Sequence, residues 1–127
     1  MGIDYVDLLG KPFKLGGDGP ECYDCVGLVC EMLRRLGVSY DTNFNRTEYP
    51  IASRNKELLK YFKSVKKLDT PSPGSVILFN HESGLVTHIG VMISDTHFIH
   101  TTKQTNVVVE RLSKDWQWKI NSIYSLN

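Results

Sequence analysis

The hydrophobic pattern of the chain changes from helical to extended at the turn formed by residues 71–74, which are Pro-Ser-Pro-Gly. Before this turn, apolar residues recur at three- and four-residue spacing, as on the buried stripe of a helix. After it, short β-branched runs between turn residues predict strands at 75–79, 88–93, 98–102, 106–111 and 122–126. Helices followed by strands, without alternation of the two, indicate an α+β domain with helices packed on one face of an antiparallel sheet.

Length and composition restrict the classes of protein to which this chain can belong. The 127 residues fit one globular domain, so we treat 1–127 as a single unit. The formal net charge of +1 is far from the strongly basic character of nucleic-acid-binding domains. No apolar stretch approaches the roughly 18 residues of a membrane span, and the N-terminus lacks the basic and apolar regions of a signal peptide. We therefore expect synthesis in the cytoplasm, no membrane span and no nucleic-acid partner.

Cys25 lies where a glycine-rich loop, residues 11–22, becomes an amphipathic helix. Asp24 can cap the start of this helix, and Gly37 can end it in the left-handed conformation. A thiol in the first turn faces unpaired backbone N–H groups and the positive end of the helix dipole, which favour the thiolate. We therefore predict that Cys25 is a nucleophile, whereas Cys30 is an inert core residue. The apolar stripe of the helix consists of Val29, Met32, Leu33 and Leu36.

Two further helical segments are predicted in the first half of the chain, at residues 3–9 and 53–63. Between the cysteine helix and the second of these segments, residues 38–50 show no periodicity and are predicted to form a surface loop that can border a substrate. The apolar faces consist of Ile3, Val6 and Leu9 in the first segment and Leu58, Leu59 and Phe62 in the second.

His88 and His100 are predicted to share one face of a β-hairpin. With residues 94–96 as a three-residue loop, Gly90 lies opposite His100 and His88 is the diagonal neighbour of His100. Diagonal neighbours of this kind are about 7–8 Å apart. This separation is short enough for a hydrogen bond between the two rings.

These features resemble the NlpC-type cysteine peptidases, papain-like enzymes that cut bacterial cell-wall peptides. The matching motifs, in chain order, are Gly10-Lys11-Pro12-Phe13, Gly16-Gly17, Asp24-Cys25-Val26-Gly27-Leu28-Val29, Pro73-Gly74, Thr87-His88-Ile89-Gly90-Val91 and Phe98-Ile99-His100. The resemblance extends from about residue 3 to the C-terminus. It implies a papain-like α+β fold, in which N-terminal helices pack on a compact antiparallel sheet of about five strands.

The resemblance also implies a function for three of these residues. Cys25 would be the nucleophile, His88 the general base, and His100 the group that orients His88. Members of the family hydrolyse amide bonds in peptidoglycan stem peptides, commonly between D-glutamate and a diamino acid, through a thioester intermediate. We expect no cofactor and no metal. Small members without an export signal are carried by phage tails or encoded in prophages, so we also expect a virion-associated protein that a tail or other delivery protein brings to the cell wall.

Phe13, Tyr23, Asp24 and Val26 are our candidates for the substrate groove or the oxyanion site. Backbone N–H groups at the start of the Cys25 helix can receive the oxyanion that forms when the thiolate attacks a carbonyl group. Relatives usually carry a tyrosine where this chain has Phe13, so the hydroxyl of that tyrosine is missing here. Tyr23 is the candidate to replace it.

Other classes of function fit parts of the sequence. Cys22 and Cys25, together with His97 and His100, have the internal spacings of zinc-ligand pairs, although strand alternation would put the two histidines on opposite faces. The same two cysteines could form a redox site, but the expected strand-helix alternation around them is missing. A papain-like amidase or acyltransferase, or an inactive structural relative in a tail assembly, would keep the fold and change the chemistry.

Overall fold

A six-stranded antiparallel sheet is the main element of the computed structural model, which describes residues 3–38, 59–60, 62–80 and 84–126. The helix that begins at Cys25 packs on this sheet. The spatial order of the strands is β1-β6-β2-β3-β4-β5, so the α+β prediction is confirmed. The elements, in chain order, are a 3₁₀ turn at Val6–Leu8, α1 (Cys25–Arg35), a 3₁₀ turn at Phe62–Ser64, β1 (Lys66–Leu68), β2 (Val76–Asn80), β3 (Val86–Met92), β4 (His97–Thr102), β5 (Asn106–Arg111), α2 (Lys114–Gln117) and β6 (Ile120–Ser125).

The sheet has one strand more than the five that the sequence predicts. Each of the five predicted strands is present, with ends within two residues of the predicted ones. The additional strand, β1, has only three residues and pairs at the edge of the sheet with β6, where Lys67 lies opposite Tyr124. Its first two side chains are exposed, so it carries no hydrophobic alternation that the sequence could reveal.

Helix α1 begins at Cys25 because the side chain of Asp24 caps it. Oδ1 of Asp24 accepts the backbone N–H of Gly27 at 2.7 Å. The chain leaves the helix at Gly37, which has a φ of 80° and donates its N–H to the carbonyl of Arg34. The predicted start and stop signals are therefore confirmed. Within the described ranges, no helix is both long and apolar enough to cross a membrane.

The core consists of two clusters, one on each face of the sheet. The first joins α1 to the sheet and includes Val29, Met32 and Leu33 of α1 with Ile89, Val91 and Ile99 of β3 and β4. The second includes Ile77, Phe79, Met92, Phe98, Leu112 and Ile123, and Trp116 of α2 packs against it. Because successive side chains of a strand point to opposite faces, β3 and β4 contribute to both clusters.

The prediction for residues 3–9 is wrong in both the type of helix and its buried side. Only Val6–Leu8 is helical, as a 3₁₀ turn. Leu8 is 1% exposed and belongs to the first cluster, whereas Val6 and Leu9 are 69% and 42% exposed. So short a segment gains little from helix formation alone, and the burial of one leucine decides its conformation.

Two predictions fall mainly on residues outside the described ranges. These are the surface loop at 38–50, apart from Val38, and most of the helix at 53–63. Of that helix, Leu59 and Lys60 are described and helical. Phe62 is described as well; it is 1% exposed, and its ring stacks on Tyr124 with 4.8 Å between centroids.

Gly27 allows the glycine-rich loop to pack against the start of α1. A Cβ atom at this position would lie 2.0 Å from the carbonyl oxygen of Gly17. Gly27→Ala should therefore lower the free energy of unfolding by about 3 kcal/mol, since backbone must move to make room. Gly37→Ala is the matched control, because its added Cβ meets nothing within 4 Å and only the positive φ is unfavourable. We expect the control to lose about 1 kcal/mol in urea unfolding. Equal losses in the two variants would contradict this packing of the loop.

Candidate active site

The β3–β4 hairpin positions the two histidines as the sequence predicts. Val91 pairs with Ile99 and Met92 with Phe98, and the backbone N–H of Ile93 donates to the carbonyl of His97 at 3.0 Å. The same register places Gly90 opposite His100. A Cβ on Gly90 would lie 3.1 Å from a ring carbon of Phe98 and 3.5 Å from the Cβ of His100, so the missing side chain leaves room for Phe98, which packs against the His100 ring.

A hydrogen bond joins the two imidazoles. Nε2 of His88 lies 2.8 Å from Nδ1 of His100, and the ring planes make an angle of 75°. The predicted contact between the rings is therefore confirmed. Because this contact uses Nε2 of His88, any other hydrogen-bond partner of the ring must use Nδ1.

Aromatic side chains of the second cluster surround this histidine pair. The ring of Trp116 has its centroid 4.9 Å from that of His100 and 6.2 Å from that of His88. Phe98 lies 4.6 Å from His100, and Phe79 lies 5.7 Å from His88. These aromatic contacts hold both imidazoles in place. Trp116 was not among the residues singled out from the sequence.

Glu110 is a second group that the sequence patterns did not reveal. Its Oε2 lies 2.5 Å from Nε2 of His100. Strand β5 places Val108 opposite His100, so Glu110 is the diagonal neighbour on the same face. Burial lowers the pKa of His100 below the ordinary 6.5, and the hydrogen bond and negative charge of Glu110 oppose this shift only in part. Burial therefore favours the neutral form of His100, and each of its ring nitrogens has a hydrogen-bond partner.

Cys25 is the first residue of α1, and its side chain is 3% exposed and packed in the first cluster. Helix α1 packs against both β3 and β4, the strands that carry the histidines. Cys22, Cys25 and Cys30 are not joined to one another by disulfides. The structure thus brings His88 and His100 into contact and places Cys25 on the adjoining helix. The catalytic roles of the three residues stay predictions.

The contacts of Asp24 favour a structural part for its side chain over the predicted groove or oxyanion role. Asp24 is 1% exposed, and its carboxylate accepts the backbone N–H groups of Gly16 at 2.9 Å and Gly27 at 2.7 Å. Its own N–H donates to the carbonyl of Gly17. Asp24 is therefore a structural cap that also fixes the glycine-rich loop. Val26 remains a candidate for the oxyanion site. Its backbone N–H precedes that of Leu28, which is the first N–H of the helix to donate to a backbone carbonyl, that of Asp24.

Phe13 and Tyr23 lie side by side in a parallel β-bridge just before α1. The backbone N–H of Phe13 donates to Oδ1 of Asn106 at 3.1 Å. The Tyr23 hydroxyl is directed at Gly19, where an added Cβ would lie 2.4 Å from it. Burial raises the pKa of the Tyr23 phenol above its ordinary 10.0, and the charge of Glu31 adds to the shift. A hydroxyl placed beside Gly19 and Glu31 gives no support to a role at the oxyanion site.

The four residues of the alternative zinc module are not brought together. Nδ1 of His97 lies 2.8 Å from the hydroxyl oxygen of Thr96, and both nitrogens of His100 have other partners. In the part of the chain that the structure describes, no three His, Cys, Asp or Glu side chains form a group that could hold a metal ion. Cys22, Cys25, His97 and His100 therefore do not form the predicted module.

Comparisons with known proteins give one consistent result. The model of the NlpC/P60 family matches residues 10–124. The probable peptidoglycan endopeptidase LytE of Bacillus subtilis is 27% identical over 112 residues, which are 88% of this chain and 29% of LytE. The murein DD-endopeptidase/LD-carboxypeptidase MepS of Escherichia coli is 25% identical over 91% of this chain and 54% of MepS. The structure of NlpC1 from Trichomonas vaginalis superposes with a TM-score of 0.68 and 26% identity, over 93% of this chain and 40% of NlpC1. The chain therefore spans about half or less of the length of each of these relatives.

Proposed function

Because the chain belongs to the NlpC/P60 family, we propose that it is a cysteine peptidase that hydrolyses amide bonds in the stem peptides of peptidoglycan. One observation supports this proposal most directly. The hydrogen-bonded pair of His88 and His100 lies on two strands that pack against the helix begun by Cys25. The names of the relatives, which describe peptidoglycan and murein endopeptidases, support the class of substrate.

In this proposal Cys25 is the nucleophile and His88 is its general base. His88 accepts the thiol proton at Nδ1, and the resulting thiolate attacks the carbonyl carbon of the peptide bond. The tetrahedral intermediate then collapses to a thioester as His88 protonates the leaving amine. A water molecule, deprotonated by His88, hydrolyses the thioester and restores the thiol. His100 holds the His88 ring in the orientation that both proton transfers require.

The oxyanion formed in each attack needs hydrogen-bond donors. The backbone N–H of Val26 is our candidate, since it belongs to the first turn of α1 and precedes Leu28, the first residue of the helix whose N–H donates to a backbone carbonyl, that of Asp24. The positive end of the α1 dipole adds to this stabilisation. Asp24 contributes only indirectly, because its carboxylate holds the start of the helix in place.

The bond between D-glutamate and a diamino acid is our proposed site of cleavage. This choice of bond rests on the family resemblance alone. The name of MepS does not support it, since MepS is named as a DD-endopeptidase and an LD-carboxypeptidase. Delivery by a phage tail is a further prediction from the resemblance, and none of the three relatives named above is described as a tail protein.

Digestion of purified peptidoglycan tests the activity and the bond together. Mass spectrometry of the products should show a new carboxyl end on D-glutamate and a new amino end on the diamino acid. Release of the terminal D-alanine, or cleavage between two crosslinked stem peptides, would contradict the proposed bond and keep the enzyme class. Transfer of the acyl group to an added amine, without hydrolysis in its absence, would favour the acyltransferase alternative.

A further inference from the structure

We propose that Glu110 is a positioning residue of this site, whose carboxylate fixes the tautomer of His100 and, through it, the tautomer of His88. The inference rests on the proposed function, because it assigns Glu110 a part in that reaction. It requires no contact between Glu110 and the substrate. The three side chains form a hydrogen-bonded row, to which three neighbouring strands of the sheet each contribute one member. These are His88 from β3, His100 from β4 and Glu110 from β5.

The donor and the acceptor in each hydrogen bond of this row follow from the chemistry of Glu110. An ionised carboxylate can only accept hydrogen bonds, so the 2.5 Å contact requires a proton on Nε2 of His100. A neutral imidazole carries one proton, and Nδ1 of His100 must then be an acceptor. The 2.8 Å contact therefore requires His88 to donate from Nε2. This leaves Nδ1 of a neutral His88 without a proton, which is the state that a general base needs.

Without the carboxylate of Glu110, the protein would not favour these tautomers of His88 and His100 over the opposite ones. His100 is 1% exposed, so almost none of its surface is open to water that could solvate a ring nitrogen in place of Glu110. A His100 ring protonated at Nδ1 would face the Nε2 proton of His88 and would favour the His88 tautomer that carries its proton on Nδ1. That tautomer cannot accept a proton from a thiol at the same nitrogen. Glu110 is itself anchored by strand pairing, since Phe98 lies opposite it on β4.

The kinetic test compares Glu110→Ala and Glu110→Gln with a control, Asp95→Asn. Asp95 is an exposed carboxylate in the β3–β4 loop, so its loss removes the same charge at a position outside the strands. We expect Glu110→Ala to lower kcat for a stem-peptide fragment by about 10- to 100-fold with little change in KM. Glu110→Gln should recover part of the loss, because its amide oxygen can accept the Nε2 proton of His100. The control should match the wild type.

A spectroscopic measurement tests the tautomers without relying on activity. Long-range proton–nitrogen NMR spectra of ¹⁵N-histidine-labelled protein show which ring nitrogen carries the proton. The Cys25→Ala background is used, so that no thiolate can hold a second proton on His88, and the pH is about 8.5, well above the ordinary pKa of histidine, which is about 6.5. We expect the proton on Nε2 in both His88 and His100, and a mixture of tautomers when Glu110→Ala is added.

The two measurements separate the inference from the proposed function. If the wild-type protein does not hydrolyse peptidoglycan but the tautomers shift with Glu110→Ala, the proposed function fails and the role of Glu110 in setting the tautomers holds. A proton on Nδ1 of His100 in the presence of Glu110 would overturn the inference. So would unchanged tautomers together with an unchanged kcat in a folded Glu110→Ala variant.

Discussion

Cys25→Ala should reduce the hydrolysis of purified peptidoglycan to background, a loss of at least about a thousandfold in kcat. The variant removes the sulfur atom that forms the thioester in the proposed mechanism, and no other group in that mechanism replaces it. The measurement is the release of soluble peptide fragments, followed by mass spectrometry. Circular dichroism should show an unchanged fold, since one sulfur atom in the first turn of α1 is lost and the Asp24 cap remains.

Cys30→Ala is the matched control for this prediction. Cys30 lies on the same helix, is half-buried and is also a cysteine outside any disulfide, but it is five residues after Cys25 and lies beyond the first turn. We expect its removal to leave the rate close to that of the wild type. Hydrolysis by folded Cys25→Ala at more than a few per cent of the wild-type rate would show that Cys25 is not the nucleophile.

His88→Ala should also lower the rate to near background, because it removes both the base that generates the thiolate and the acid that protonates the leaving amine. The loss should again be about a thousandfold or more. His97→Ala is the matched control: His97 lies at the start of β4, and its ring is bonded to Thr96 rather than to either imidazole of the pair. Assays of both variants on the same peptidoglycan decide the matter. An active, folded His88→Ala variant would rule out the Cys25–His88 mechanism.

His100 should tolerate replacement better than His88, since it acts only by orienting the other ring. His100→Ala should be partly active, because an unanchored His88 still reaches the productive orientation for part of the time. His100→Asn should recover some of the lost rate by offering an amide oxygen to Nε2 of His88. A folded His100→Ala variant with the full rate would show that His100 does not orient His88.

Much of what positions the site could be predicted from short-range patterns. The start of α1 at Cys25 followed from a capping residue, an apolar stripe and a glycine, which are signals within a dozen residues of each other. The pairing of the β3–β4 hairpin followed from its loop length, and this alone placed His88 diagonally to His100. These predictions succeeded because the determining interactions lie close together in the sequence.

The groups that were missed depend on contacts between distant parts of the chain. Strand β1 exists because its backbone completes the edge beside β6, and its own side chains give no sign of it. Trp116 acquires its place from the packing of α2 over the second cluster. The position of Glu110 could be predicted in part, since β5 was predicted with its correct ends and alternation puts Glu110 on the same face as Val108. Its place beside His100 depends on the register of the β4–β5 hairpin, which the strand pattern alone does not determine.

The row formed by His88, His100 and Glu110 restricts how this sequence can change by insertion and deletion. Two short loops, residues 93–96 and 103–105, set the offset between the three strands that carry the row. One residue added to either loop, with the pairing shifted by one position, would turn the following strand over and send its side chains to the opposite face. Point substitutions in these loops keep the row intact as long as the turns still form. Functional variants should therefore differ in the composition of the two loops and agree in their length.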